Sequence, residues 1–258
     1  MIVNHKAIRR MLNENQRLDG RTMTEFRKNI SIQPGIYETA EGSARVIIGE
    51  TEVVAGVKLS LEKPFNDTPN QGGIVVNVEL RPLSHPDYEG GPPSINAIEM
   101  ARVIDRGIRE SHAIDFKKLC IKPGEQAWFI LIDLISINDA GNLYDASSLA
   151  VLSALKNTVL PAFNKELGVV DYKVKTKKGL PINKETITVT LGLIGDSILV
   201  DPTKGEEAVV DSRLSVAIDK TGKISALQKG GSVPLSQEKI LDMVDLAIEK
   251  SLELRKLV

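Results

Sequence analysis

Two separate stretches of this chain read as the same hairpin. Ile47-Ile48-Gly49-Glu50-Thr51-Glu52-Val53-Val54 resembles Leu193-Ile194-Gly195-Asp196-Ser197-Ile198-Leu199-Val200: each is an apolar strand, a Gly-acid turn and a second apolar strand. Glycine supplies the positive φ that so tight a turn requires. A repeated unit of this kind constrains the chain to strand-rich halves, and helical patterns follow the strands in both. That order points to an α/β (α+β) sandwich of sheets covered by helices, built by internal duplication.

In the first half, β-branched runs at 29–33, 44–48, 52–61 and 73–83 are separated by Gly, Pro and Asn. Ser94 then caps a helix running to about Ala113. A strand is expected over 127–137, then a turn at Asp139-Ala140-Gly141-Asn142 and a second helix through Leu155, ending near Pro161. In the second half the strands fall at 186–194, 198–201, 208–218 and 223–228, with Lys220-Thr221-Gly222 as a hairpin turn. A last helix, from Gln237 to about Leu254, places Ile240, Leu241, Val244, Ala247, Ile248 and Leu252 on one face. Ahead of all this, 1–15 reads as a short amphipathic helix. The expected division is an N-terminal segment (1–28), a first half (29–165), a connection (166–182) and a second half (183–258). The connection is Lys-rich, with Lys173, Lys175, Lys177 and Lys178 read as solvated.

With 258 residues, 42% of them hydrophobic, the chain can bury a substantial core. A formal net charge of −1 argues against coating duplex DNA by bulk positive charge, yet leaves room for a local basic patch. The one cysteine, Cys120, forms no intramolecular disulfide or thiolate cluster and reads as a small buried apolar side chain. Nothing points to a metal or another cofactor. No signal-peptide core is visible, and no window approaches the ~18 apolar residues of a membrane span. The reading is a soluble, cytoplasmic protein with no membrane partner.

Four segments then carry a resemblance. Arg17-Leu18-Asp19-Gly20-Arg21, Arg81-Pro82-Leu83, the helix from Glu99 to Arg109, and Gly141-Asn142-Leu143-Tyr144-Asp145-Ala146 are similar to motifs of the RNase PH family, in the family's order. The resemblance spans nearly the whole chain, from Arg17 to the last helix. It implies a duplicated βαβα RNase PH fold of the ribosomal protein S5 domain 2-like type, a hexameric ring, and phosphorolysis. In that reaction inorganic phosphate attacks the 3′-terminal linkage of RNA and releases nucleoside diphosphates. Phosphate needs a helix N-terminus with a hydroxyl and an arginine. RNA needs arginines for its backbone, and the departing 3′ oxygen needs an acid or a carboxylate-held metal.

Measured against those needs, two centres are missing. Active members resemble Gly-Gly-Thr-Arg-Thr at the strand-to-helix turn, where this chain has Ala140-Gly141-Asn142-Leu143-Tyr144. Leu143 removes the bidentate cation, and Asn142 reads as part of a turn that caps the helix. Active members also carry two aspartates six residues apart, a spacing that lands here on Glu207 and Arg213. A guanidinium neither donates a proton at physiological pH nor holds a metal. Asp201, Glu206 and Asp211 nearby read as a solvated acidic stretch. A basic position three residues before Glu99 in active members is Asn96 here.

The arginine helix is kept. Arg102, Arg106 and Arg109 share one stripe, beside an expected buried stripe of Ile98, Ala101, Ile104 and Ile108. Two readings stand: RNA contact, or helix salt bridges to Glu99, Asp105 and Glu110. His85 reads as a structural or interface residue and Trp128 as core. The resemblance therefore implies a catalytically silent RNase PH-like subunit of an archaeal exosome. Such a subunit alternates with a catalytic RNase PH-like partner beneath RNA-binding cap subunits and presents arginines to single-stranded RNA. The alternatives are an active phosphorolytic ribonuclease using Glu207 and Asp211, and a pure scaffold or RNA-binding subunit.

Overall fold

The computed structural model describes residues 5–164 and 168–258. Residues 1–4 of the expected first helix, and 165–167 at the boundary of the first half, lie outside the described residues. The elements in order are α1 (His5–Asn13), β1 (Ile30–Pro34), β2 (Gly42–Ile48), β3 (Thr51–Glu62), β4 (Gly73–Glu79), α2 (Ile95–Glu110), β5 (Cys120–Lys122), β6 (Gln126–Asn138) and α3 (Leu143–Asn157). Then come β7 (Val159–Asn164), β8 (Val169–Gly179), β9 (Thr186–Ile194), β10 (Ser197–Val200), α4 (Lys204–Glu207), β11 (Ser212–Asp219), β12 (Ile224–Gly231) and α5 (Gln237–Arg255).

One sheet runs β1-β2-β3-β6-β4, with β5 also paired to β6; all its pairings are antiparallel except β4 with β6, which α2 connects. The other runs β10-β9-β11-β12 and is wholly antiparallel. Helices α2 and α3 lie between the two sheets, and α5 covers the far face of the second. Both faces of the second sheet are therefore closed over β9, which explains why every residue of that strand is buried. Apart from Tyr144, Lys156 and Asn157, all of α3 is buried as well. Both repeated hairpins form, with Gly49 at φ 60° and Gly195 at φ 55°.

The short strand β10 leaves half of β9 without a partner on that side. Side chains of α3 fill the gap: Thr188 N–H donates to Ser148 Oγ and Thr190 N–H to Asp145 Oδ1, each at 2.8 Å. The Asp145 carboxyl is fully buried, and burial pushes its pKa well above the ordinary range.

The N-terminal segment is fixed by arginines rather than by apolar packing alone. Arg17 Nε and Nη2 grip Glu206 at 2.9 and 2.6 Å, both side chains fully buried, and its remaining N–H groups reach the carbonyls of Val200 and Asp201 at 2.9 Å. Asp201, also fully buried, accepts from Arg21 and Arg27 at 2.7 to 2.9 Å. Burial opposes its charge, but the Arg27 guanidinium and backbone N–H hold its pKa below the ordinary range. Arg9 makes a bidentate pair with Asp211, both contacts 2.8 Å. The acidic stretch read as solvated is thus mostly buried and paired, a correction that the distant arginines explain.

Other expectations need adjusting. The Lys-rich connection is not loop: β8 pairs with β7 in a two-stranded ribbon, although its lysines are exposed as expected. Lysine-rich composition hides the alternation of Val170, Val174 and Thr176. Pro161 sits inside β7 at a register shift rather than at a helix end, a position where a strand tolerates proline. The strand expected over 208–218 begins only at Ser212, because α4 comes first. On α2, Ser94 is the N-cap as expected, but Ile98 is half exposed and Ala101 partly so. Packing between two sheets rotates the buried face to Ala97, Met100, Val103, Ile104, Gly107 and Ile108. Trp128 is in the core as expected, whereas Cys120 is only partly buried.

Two predictions follow from these ion pairs. Arg17→Ala leaves Glu206 as a buried unpaired charge and is expected to lower unfolding stability by about 3–5 kcal/mol. Arg10→Ala, which removes an exposed 4.0 Å contact, should leave the denaturation midpoint unchanged. The second concerns Asp219, which closes the β11–β12 turn by accepting from Thr221 N, Thr221 Oγ1 and Lys223 N at 2.6 to 3.1 Å. Burial opposes its charge, yet these donors and Lys184 bring its pKa down to about 2. A depressed carboxylate stabilises the fold above its unfolded pKa, so the stability difference between wild type and Asp219→Asn should be constant from neutral pH to about 5. It should shrink as pH falls from about 4 to 2, as read by denaturant midpoints across pH.

Candidate functional site

A cleft of about 250 Å³ opens where α2, α3, β9, β11 and α4 meet. Asn96 and Met100 come from α2, Leu143 and Tyr144 from the start of α3, Lys204 and Glu207 from α4, and Arg213 from β11. The positions singled out in the sequence as altered thus converge on one place, with Asn142 buried beneath them. The turn that delivers α3 is tight: Gly141 has φ 100° and Asn142 φ 59°, in the left-handed region. Asn142 occupies the N-cap position but does not cap through its side chain. Its Nδ2 instead bridges Asp145 Oδ2 at 3.0 Å and Asp201 Oδ1 at 2.9 Å.

One of the amides at the start of α3 already has an anion. Asn142 N–H donates to Glu207 Oε1 at 2.8 Å. Burial pushes the Glu207 carboxyl up, while the Lys204 ammonium and that N–H pull it back. Lys204 lies between two carboxylates, 2.5 Å from Asp139 Oδ2 and 3.6 Å from Glu207 Oε2. Burial alone would lower its pKa, but Glu207 and Asp139 outweigh that and hold it above the ordinary range. Tyr88 donates to the same Asp139 oxygen at 2.5 Å, and burial together with that carboxylate drives its hydroxyl pKa upward.

On the other wall, Arg213 Nη2 meets Glu99 Oε1 at 2.6 Å and the Tyr144 hydroxyl at 2.7 Å, with the guanidinium carbon 4.5 Å from the Tyr144 ring centre. Burial raises the Tyr144 pKa, so the ring is a neutral wall of the cleft. The two cations of the site therefore face three carboxylates: Asp139, Glu207 and Glu99. Each of the two cations thus has a carboxylate of the same chain against it. The site also has no pair of carboxylates at the six-residue spacing, because Arg213 stands at the second position.

The three arginines of α2 lie outside this cleft. Arg102, Arg106 and Arg109 are exposed on the same helix, from about 9 to about 20 Å along its axis from Asn96. Arg109 pairs with Asp105 at 2.7 Å, while Glu99 is engaged by Arg213. Among the described residues, Arg102 and Arg106 have no ion-pair partner. The Asp139–Lys204–Tyr88 network escaped the sequence reading, although Thr203 and Glu206 form a capping box that fixes Lys204 at the first turn of α4. His85 stays local, its Nδ1 accepting from Asp87 N–H at 3.2 Å.

Comparison with known proteins accounts for this architecture. The 3′ exoribonuclease family matches in both parts, domain 1 over residues 25–161 and domain 2 over 185–250. A chain of the Archaeoglobus fulgidus exosome with RNA bound to the active site superposes with a TM-score of 0.90 at 41% identity, covering 98% of this chain and 96% of that one. The exosome complex component Rrp42 of Methanothermobacter thermautotrophicus is 42% identical across 96% of this chain and 91% of its own length. That of Methanocella arvoryzae is 46% identical across 95% and 92%. The fold and the matched domains define a duplicated RNase PH-type protein. The chain belongs to the 3′ exoribonuclease, or RNase PH, family.

Gly141 gives the site a direct test. A Cβ there would lie 2.4 Å from the Pro202 carbonyl and 2.6 Å from Lys204 N, backbone atoms that have no rotamer to change. With positive φ added, Gly141→Ala is expected to cost more than about 1 kcal/mol, measured by thermal or urea unfolding.

Proposed function

We propose that this chain is the non-catalytic RNase PH-like subunit of an exosome ring, a cytoplasmic phosphorolytic machine that degrades and processes RNA from the 3′ end. The observation that carries the reading is Glu207 on the Asn142 amide: the helix N-terminus where phosphate would bind holds the chain's own carboxylate. Full-length similarity to exosome components supports the setting, as does the close superposition on an RNA-bound archaeal exosome. In this reading the phosphate loop and the acids come from a catalytic RNase PH-like partner that alternates with this chain in a hexameric ring. Cap subunits bring RNA to one face. This chain completes the composite site by presenting Arg102 and Arg106, which have no ion-pair partner among the described residues, with Arg109 as a third contact, to the backbone of single-stranded RNA.

The test is phosphate-dependent release of nucleoside diphosphates from a single-stranded RNA, by the chain alone and mixed with its catalytic partner. Silence alone with activity in the mixture is the expected result. Robust activity from the chain alone would return the chemistry to Glu207 and Asp211. In the assembled ring, replacing Arg102 and Arg106 with alanine should reduce turnover about tenfold or more, the scale of lost charged hydrogen bonds. Unchanged turnover with an intact ring would leave only a scaffold.

A further inference from the structure

The four lysines of the ribbon take no part in the site just described. Lys173, Lys175, Lys177 and Lys178 cluster within six residues of β8, where the pairing with β7 shifts register on either side of Lys175. All four are exposed, and among the described residues none pairs with a carboxylate; Lys175 donates only to the Ala40 carbonyl, at 2.8 Å. The same strand exposes about half of the Tyr172 ring, with the Lys58 ammonium 5.5 Å from its centre. Unneutralised cations in a row beside an accessible aromatic ring are what a sequence-tolerant contact to single-stranded nucleic acid requires. The strand also has a free edge, where lysines discourage pairing between sheets. That role needs charge of either sign, whereas binding of a polyanion needs positive charge, and the difference can be measured.

We infer that β8 is a second RNA contact, separate from the arginine helix, which holds the body of a long RNA while its 3′ end is processed. The inference rests on the exosome reading above. It is tested in the ring reconstituted with the catalytic partner, comparing wild type with a Lys173→Glu, Lys175→Glu, Lys177→Glu variant. The readouts are affinity for a long single-stranded RNA over a range of salt concentrations, and turnover of a short RNA that reaches only the catalytic cleft. The expected result is about tenfold weaker binding of the long RNA and a salt dependence shallower by about two units of log–log slope. Turnover of the short RNA should be unchanged. The corresponding lysine-to-glutamine variant should show the same effects more weakly. Equal affinity and equal salt slope in wild type and variants would overturn the inference while leaving the exosome reading intact, since the ring still turns over the short RNA. Failure of both variants to assemble would assign β8 to a subunit interface instead. A wild-type ring that neither binds nor degrades RNA would overturn both readings.

Discussion

Three arginines from a segment with no regular secondary structure hold this molecule's parts in register. Arg17 reaches Glu206, while Arg21 and Arg27 converge on Asp201. Arg27 also spans to Thr51 Oγ1 and the carbonyls of Ala140 and Gly141, joining the first hairpin, the turn before α3 and the second half. Buried charge of this kind is weak evidence for net stability, because desolvation offsets most of the attraction. Its effect is positional. Asp201 holds Asn142, Asn142 N–H holds Glu207, and Glu206 with Thr203 sets the helix that carries Lys204. The geometry of the cleft is therefore set from the far end of the sequence.

That geometry sets charged groups of the cleft against one another. A phosphorolytic centre needs uncompensated positive charge directed at an anion. Here the amide at the start of α3 and both cations meet carboxylates of the same chain. The arginines of α2 are arranged oppositely: all three are exposed, and among the described residues two of them have no ion-pair partner. On the function proposed above, this contrast fits an assembly in which chemistry and grip are supplied by different subunits.

Much of the fold was legible in the sequence because it was written in local signals. The Gly-acid hairpins, Ser94 and the long apolar runs of β3, β6 and β9 each announce their own structure. That Leu143, Tyr144, Glu207 and Arg213 line one cleft is in keeping with the RNase PH motifs that singled them out. What stayed hidden was non-local. Asp201 and Glu206 look solvated until arginines about 180 residues away reach them. The strand β8 looks like a linker until β7 pairs with it, and Ile98 looks buried until the second sheet fixes the rotation of α2. Lys204 is one lysine among many until α4 turns it into the cleft.

The placement of α3 has a consequence of its own. This helix is buried almost all round, packing on the first sheet with one side and lending Ser148 and Asp145 to the backbone of β9 with the other. A single hydrophobic cluster accordingly runs through both halves. The chain is duplicated in pattern but indivisible as a cooperative unit. Neither half could be excised, exchanged for a relative's or grafted elsewhere without stripping the other of its inner wall. Side chains lining the cleft can be replaced within this intact body, whereas a change to its inner wall would be felt in both halves at once.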